Sequence, residues 1–137
     1  MSLDKILAIS EKPGLYKLIS QTRSGFVAQS LIDGKRIAVS LRNNVSLLSE
    51  IAIYTLSEEV PLNDVFMKIK EKEKGAQTTV GHKDSRDALE EYFFSVLPDY
   101  DEDRVYPSDI KKVVRWYNIL QQNDLLHLIE EQSDEEE

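Results

Sequence analysis

The sequence predicts an α+β fold, with a small bent antiparallel meander followed by a small α-helical unit. Three observations carry this. Between residues 15 and 57, short runs rich in β-branched residues alternate with tight turns. At residue 60 the apolar period lengthens from two to between three and four. From residue 84 onward that helical period returns twice, on either side of an acidic loop.

The opening run, LDKILAISEKPG, spaces Leu3, Ile6, Leu7 and Ile9 like a short helical turn, which Pro13-Gly14 then breaks. Residues 15–21 (LYKLISQ) read as a strand, 22–25 (TRSG) as a turn and 26–32 (FVAQSLI) as the next strand. Asp33-Gly34 is a strong hairpin signal. A two-residue type I′ turn there requires positive φ at both positions. Residues 35–41 return as a strand, 42–44 (RNN) turn again, and 50–56 (EIAIYTL) alternate as a fourth strand. A small open sheet leaves two edges to protect, so the tight turns favour an SH3-like barrel.

In residues 60–73, Leu62, Val65, Phe66 and Ile69 follow the i, i+3, i+4, i+7 pattern of an amphipathic helix, with Pro61 near its first turn. Residues 74–83 carry Gly75 and Gly81 and no periodicity, so they read as a flexible linker. The helix over 84–97 has Asp84 or Ser85 as its cap and an apolar stripe of Ala88, Leu89, Tyr92, Phe93 and Val96, and Pro98 stops it. The helix over 108–122 begins with Ser108 as N-cap and turns Ile110, Val113, Val114, Tyr117 and Leu120 inward. Asn123-Asp124 breaks it, and 125–129 (LLHLI) form a last short helix. The expected organisation is a β-barrel-like domain over 1–73, a linker over 74–83 and a helical domain over 84–129. A disordered acidic tail over 130–137 completes it.

The net charge of -8 is unevenly spread. Residues 1–74 hold 11 Lys/Arg and 9 Asp/Glu, while residues 75–137 hold 6 and 16. The absence of cysteine excludes disulfides, thiolate metal sites and cysteine nucleophiles, and fits a reducing compartment. No apolar run reaches the length of a membrane span, and Asp4 interrupts the first one, so a cytoplasmic protein without a signal peptide is expected.

Catalytic signals are weak. Asp99-x-Asp101-x-Asp103 begins like a calcium loop, but Arg104 stands where glycine is needed and Ile110 where the bidentate glutamate belongs. A solvated acidic loop is the plainer reading. Ser108-x-x-Lys111 has nucleophile–lysine spacing without a partner motif. His82 and His127 are far apart and have no cysteine to complete a metal set. No glycine-rich phosphate loop or other cofactor motif occurs, and no enzyme constellation emerges. A helix-turn-helix reading of the two later helices fails on their acidic connection, PDYDED, which repels phosphates.

The remaining candidates are binding residues. Lys17, Arg23, Lys35, Arg36 and Arg42 lie on or beside strands that carry Tyr16 and Phe26, a composition suited to stacking bases and pairing phosphates. The structural alternative puts the aromatics in the core and leaves the cations to guard sheet edges. Trp116, the single tryptophan, falls to one side of its helix's apolar stripe, near Lys112, and is expected to be partly exposed. A protein-binding adaptor is the first expectation. An RNA- or nucleic-acid-binding accessory protein using the basic hairpin is the alternative.

The runs LDKILAISEKPGLYKLISQTRSGFVAQSLIDGKR, EIAIYTLSEEVPL and YPSDIKKVVRWYNIL resemble a family of small bacterial proteins known only as a domain of unknown function. The resemblance covers Leu3 to Leu120 and leaves out the linker and acidic tail. It implies a bacterial, cytoplasmic, complete small protein. It assigns no chemistry to any residue.

Overall fold

The computed structural model describes residues 5–9, 14–40, 45–81, 83–126 and 129. Over these residues the polypeptide forms an α+β fold, with an antiparallel five-stranded sheet, a separate two-stranded ribbon and three helices. The strands are β1 (Ile6–Ile9), β2 (Tyr16–Gln21), β3 (Gly25–Ser30), β4 (Arg36–Ser40) and β5 (Val45–Leu47), in the spatial order β4-β3-β2-β1-β5. A 3-10 turn, Leu48–Glu50, leads to the ribbon of β6 (Ala52–Tyr54) and β7 (Glu59–Pro61). The helices are α1 (Leu62–Glu73), α2 (Arg86–Val96) and α3 (Pro107–Gln122).

The first segment is a strand, where its spacing predicted a helical turn. Both faces of β1 are covered. Ile6 belongs to the cluster beneath the helices, while Leu7 and Ile9 belong to the cluster inside the sheet. A strand buried on both sides shows no polar alternation, so its short apolar run mimics a helical turn. β5 was also not foreseen. Its three residues acquire strand geometry by pairing with β1 across nearly 40 residues of chain, Leu47 opposite Leu7 and Val45 opposite Ile9.

The hairpin at Asp33-Gly34 exists, but its loop is longer than predicted. Gln29 pairs with Arg36, the Ser30 N–H donates to the Lys35 carbonyl at 2.8 Å, and residues 31–34 form the loop. Only Gly34 has positive φ, at +76°, so the turn is not type I′. The Ser30 hydroxyl accepts from the Ile32 N–H at 3.1 Å, and the Asp33 carboxylate accepts from the Lys35 N–H at 2.9 Å. These side-chain bonds stabilise a four-residue loop.

The predicted fourth strand contracts to β6 and leaves the main sheet. Thr55 ends it, taking N–H bonds from Ser57 and Glu58 on its hydroxyl oxygen, and β7 returns antiparallel. Thr55 then bridges to Tyr100 in the α2–α3 connection. α1 starts at Leu62, whose N–H bonds to the Ile51 carbonyl at 2.8 Å. Ser85 caps α2 by accepting the Ala88 N–H. α3 begins earlier than predicted. Tyr106 is its N-cap, Pro107 occupies the first turn, and the Asp109 carboxylate accepts the Tyr106 N–H at 3.0 Å, so Ser108 lies inside the helix.

One hydrophobic cluster runs through both halves of the chain. It joins Ile6, Leu15 and Leu48 to Phe66 of α1, Phe93 of α2 and Tyr117 of α3. The smaller cluster, centred on Leu7, Tyr16, Ala28 and Val39, lies within the sheet. Residues 76–80, read from sequence as a flexible linker, are bonded along α3. The Tyr117 hydroxyl donates to the Ala76 carbonyl at 2.9 Å. The Thr78 N–H donates to Asn118 Oδ1 at 3.0 Å, and Asn118 Nδ2 donates to Thr78 Oγ1 at 2.9 Å. Among the described residues the larger cluster joins side chains from both sides of the expected boundary between 1–73 and 84–129. The expected tail over 130–137 lies outside the described residues, as do His82 and His127.

Candidate functional site

The basic hairpin does not assemble as one surface. Lys17, Gln29 and Arg36 face one another in register across β2, β3 and β4, so the two cations share a face about 10 Å apart. Lys35 is the next residue after the loop and projects to the opposite side. Arg23 sits in the β2–β3 turn, a full strand length, about 17 Å, from Lys35. Arg42 lies outside the described residues. Tyr16 is 9% exposed and packs within the sheet, and Phe26 packs against the same cluster. The aromatics needed for base stacking are therefore engaged in the core.

A different surface has the shape of a binding site. A cleft of about 310 Å³ opens between β6 and α3, at the small end of the range for ligand pockets. Ile53 and Val113 form its floor. Tyr54 and Trp116 stand at its sides, with Arg104, Asp109 and Lys112 as its charges. Trp116 is half-buried, as its helical position predicted.

The α2–α3 connection builds one wall of this cleft. Asp101, read from sequence as part of a solvated acidic loop, is 9% exposed and organises the turn. Its N–H donates to the Tyr54 carbonyl at 2.9 Å, which ties the loop to β6. Its carbonyl accepts the N–H groups of Arg104 and Val105, and its Oδ1 accepts the Asp103 N–H at 3.0 Å. Its Oδ2 holds Arg104 Nε at 3.1 Å. That clamp places the guanidinium 4.9 Å from the Tyr54 ring centroid, a cation–π contact. Arg104 thus arrives at the cleft pre-oriented and neutralised. Asp109 is occupied by the Tyr106 N–H, whereas Lys112 makes no ion pair among the described residues.

Trp116 and Lys112 were visible in the sequence because both follow from helical periodicity. Tyr54 and Arg104 were not, since only tertiary pairing brings β6 beside the loop. Their one local signal was the Asp101–Arg104 spacing of three. Among the described residues no group of three or more His, Asp or Glu side chains is arranged to hold a metal ion. The cleft offers apolar area, cations and hydrogen-bond donors, a composition for binding.

A second feature flanks the same loop. On α2, Phe94 is 54% exposed, and it lines a shallow hollow with Asp87, Glu91 and Glu102. Tyr106 and Leu56, at 59% and 76% exposure, also border this end of the molecule. Leu56 is joined to the loop through its N–H, which donates to the Asp99 carbonyl.

No described helix is long and apolar enough to cross a membrane. No curated protein matches the chain. A solution NMR structure of a protein from Bacteroides vulgatus, from the Northeast Structural Genomics Consortium, is 46% identical. The match covers 89% of this chain and 87% of that one, with a TM-score of 0.74. Residues 3–48, which include the five-stranded sheet, match a family described as Domain of unknown function (DUF5606). Residues 51–120 match a second, so that β6 to α3, with the cleft between them, belong to the family described as Domain of unknown function (DUF6852).

Proposed function

We propose that the protein is a non-enzymatic interaction module, an adaptor that holds another protein in the cleft between β6 and α3. The observation that carries this reading is the cleft's composition: Tyr54 and Trp116, the apolar Ile53 and Val113, and Lys112, which is in no ion pair among the described residues. Such a site suits an apolar side chain with a carboxylate next to it, and exposed aromatics commonly anchor protein interfaces. We read the sheet as SH3-like, since all five strands contribute residues to its interior cluster, as a strongly bent sheet requires. On this reading the sheet is a scaffold. The protein works in the cytoplasm, in keeping with its lack of cysteine.

Peptide display against the immobilised full chain tests the proposal. Enriched peptides are expected to carry an acidic residue beside an apolar one and to quench Trp116. Lys112→Glu should weaken them about tenfold, and Arg36→Glu should leave them unchanged. Peptides indifferent to both Lys112→Glu and Trp116→Ala would refute the cleft as the binding site. The nucleic-acid alternative rests on Lys17 and Arg36. Salt-sensitive binding of single-stranded RNA, abolished by Lys17→Glu with Arg36→Glu, would favour it instead.

A further inference from the structure

The cleft and the Phe94 hollow lie on either side of one loop and have opposite character. Arg104 lines the first and Glu102 the second, two residues apart, or about 7 Å of chain. On α3 the cleft is lined by Lys112 and Asp109, and Arg115 lies outside the lining one turn beyond Lys112; neither cation is in an ion pair among the described residues. The hollow carries Asp87, Glu91 and Glu102, likewise unpaired, around an exposed phenylalanine. Glu90 is excluded from this balance because Arg86 Nε holds it at 3.1 Å. One surface is therefore an aromatic-walled slot edged on α3 by Lys112 and Arg115 against the single carboxylate of Asp109, and the other an exposed phenylalanine among three unpaired carboxylates.

We infer that the slot receives α2 of a second copy of this chain, with Phe94 as the inserted side chain. This rests on the reading of the cleft as a protein-binding site and names its occupant. A twofold axis through the 99–105 loop suits this placement. The two complementary surfaces are neighbours on one end of the molecule, so each copy presents its projection to the other's slot, and the interface closes as a dimer. Lys112 then faces Glu91 of the other copy, with Arg115 at the margin of the contact. The four large apolar residues exposed around this loop, Tyr54, Leu56, Phe94 and Tyr106, lose water together. Among the described residues the other exposed large apolar side chains, Ile19 and Ile32, belong to the main sheet and its hairpin loop. Apolar exposure thus concentrates where the charges also match.

Sedimentation velocity on the full chain, from about 10 to about 500 µM at low salt, reads the outcome directly. The expected mass is twice the 15.8 kDa of one chain. Trp116 emission should change along the same concentration isotherm. Lys112→Glu and Glu91→Lys should each weaken the dimer about tenfold or more, and combining them should restore it. Phe94→Ser should also give monomer. All three positions are solvent-exposed, and circular dichroism will show that each variant is folded. A wild-type chain that stays at 15.8 kDa throughout overturns the inference. So does a dimer insensitive to Phe94→Ser, or a charge-swapped pair that stays monomeric. A monomeric chain that still binds acidic–apolar peptides through Lys112 would leave the adaptor reading standing and remove only the self-pairing.

Discussion

Asn118→Ala tests whether residues 76–80 are part of the core or a connection between two units. Asn118 makes both bonds that hold Thr78 to α3, at 3.0 and 2.9 Å, and the pair is partly buried. Thr78 Oγ1 also donates to the Val80 carbonyl, and Val80 packs on the main cluster. Losing two such bonds costs about 1 kcal/mol each, and a stranded Thr78 N–H adds about 1 kcal/mol where water cannot reach it. The expected loss is about 2–3 kcal/mol, or roughly 8–12 °C in Tm at about 4 °C per kcal/mol for a chain of this size. Tyr117→Phe, which frees the Ala76 carbonyl, should cost about 1 kcal/mol. The double variant should depart from additivity because the two bonds secure the same segment. Urea unfolding followed by circular dichroism measures each value, and amide exchange at Thr78 reports the segment itself. In the wild type that amide should be protected, and in Asn118→Ala it should exchange freely. A change below about 0.5 kcal/mol, with Thr78 already exchanging freely in the wild type, would refute the reasoning and restore the linker.

Two further perturbations separate the other forces in the fold. Gly25 and Gly34 make a contrasting pair in melting experiments. A Cβ on Gly25 would lie 1.8 Å from the Val39 carbonyl oxygen, so Gly25→Ala must part β3 from β4 and should cost about 3 kcal/mol or more. Gly34→Ala meets nothing closer than 4.0 Å and bears only the strain of φ +76°, about 1 kcal/mol. Equal melting temperatures for the two would refute the distinction. Alkaline stability follows from the tyrosines. Burial, and the hydrogen bond that Tyr92 donates to Glu73 at 2.5 Å, push the Tyr92 phenol far above its ordinary value. Burial raises Tyr100 and Tyr117 as well. Unfolded tyrosines ionise near 10.0, so above that pH the unfolded chain holds fewer protons and stability must fall. Below it the contribution is complete. Denaturation across pH 9 to 12 should show the decline, and Tyr92→Phe should make it shallower; an unchanged slope would mean that Tyr92 ionises without unfolding.

What the sequence determined was local. α1 and α2 were legible because each buries one stripe, and a single buried stripe writes a 3.6-residue period into the chain. The half-exposure of Trp116 followed from the same arithmetic on α3. The hairpin between β3 and β4 was legible through Asp33-Gly34, although side-chain bonds from Ser30 and Asp33 set its loop at four residues. Tertiary structure decided the rest, and the reason is that nonlocal pairing leaves no local period. β1 is covered on both faces, so its strand character does not show in its own spacing. β5 is a strand only because β1 lies beside it. Residues 76–80 look like a linker because their polar groups are satisfied by Tyr117 and Asn118, 40 residues away in the chain. The cleft has the same origin. Lys112 and Trp116 could be placed on a helix from sequence, but their partners, Tyr54 and Arg104, reach them through Asp101, whose burial depends on the whole fold.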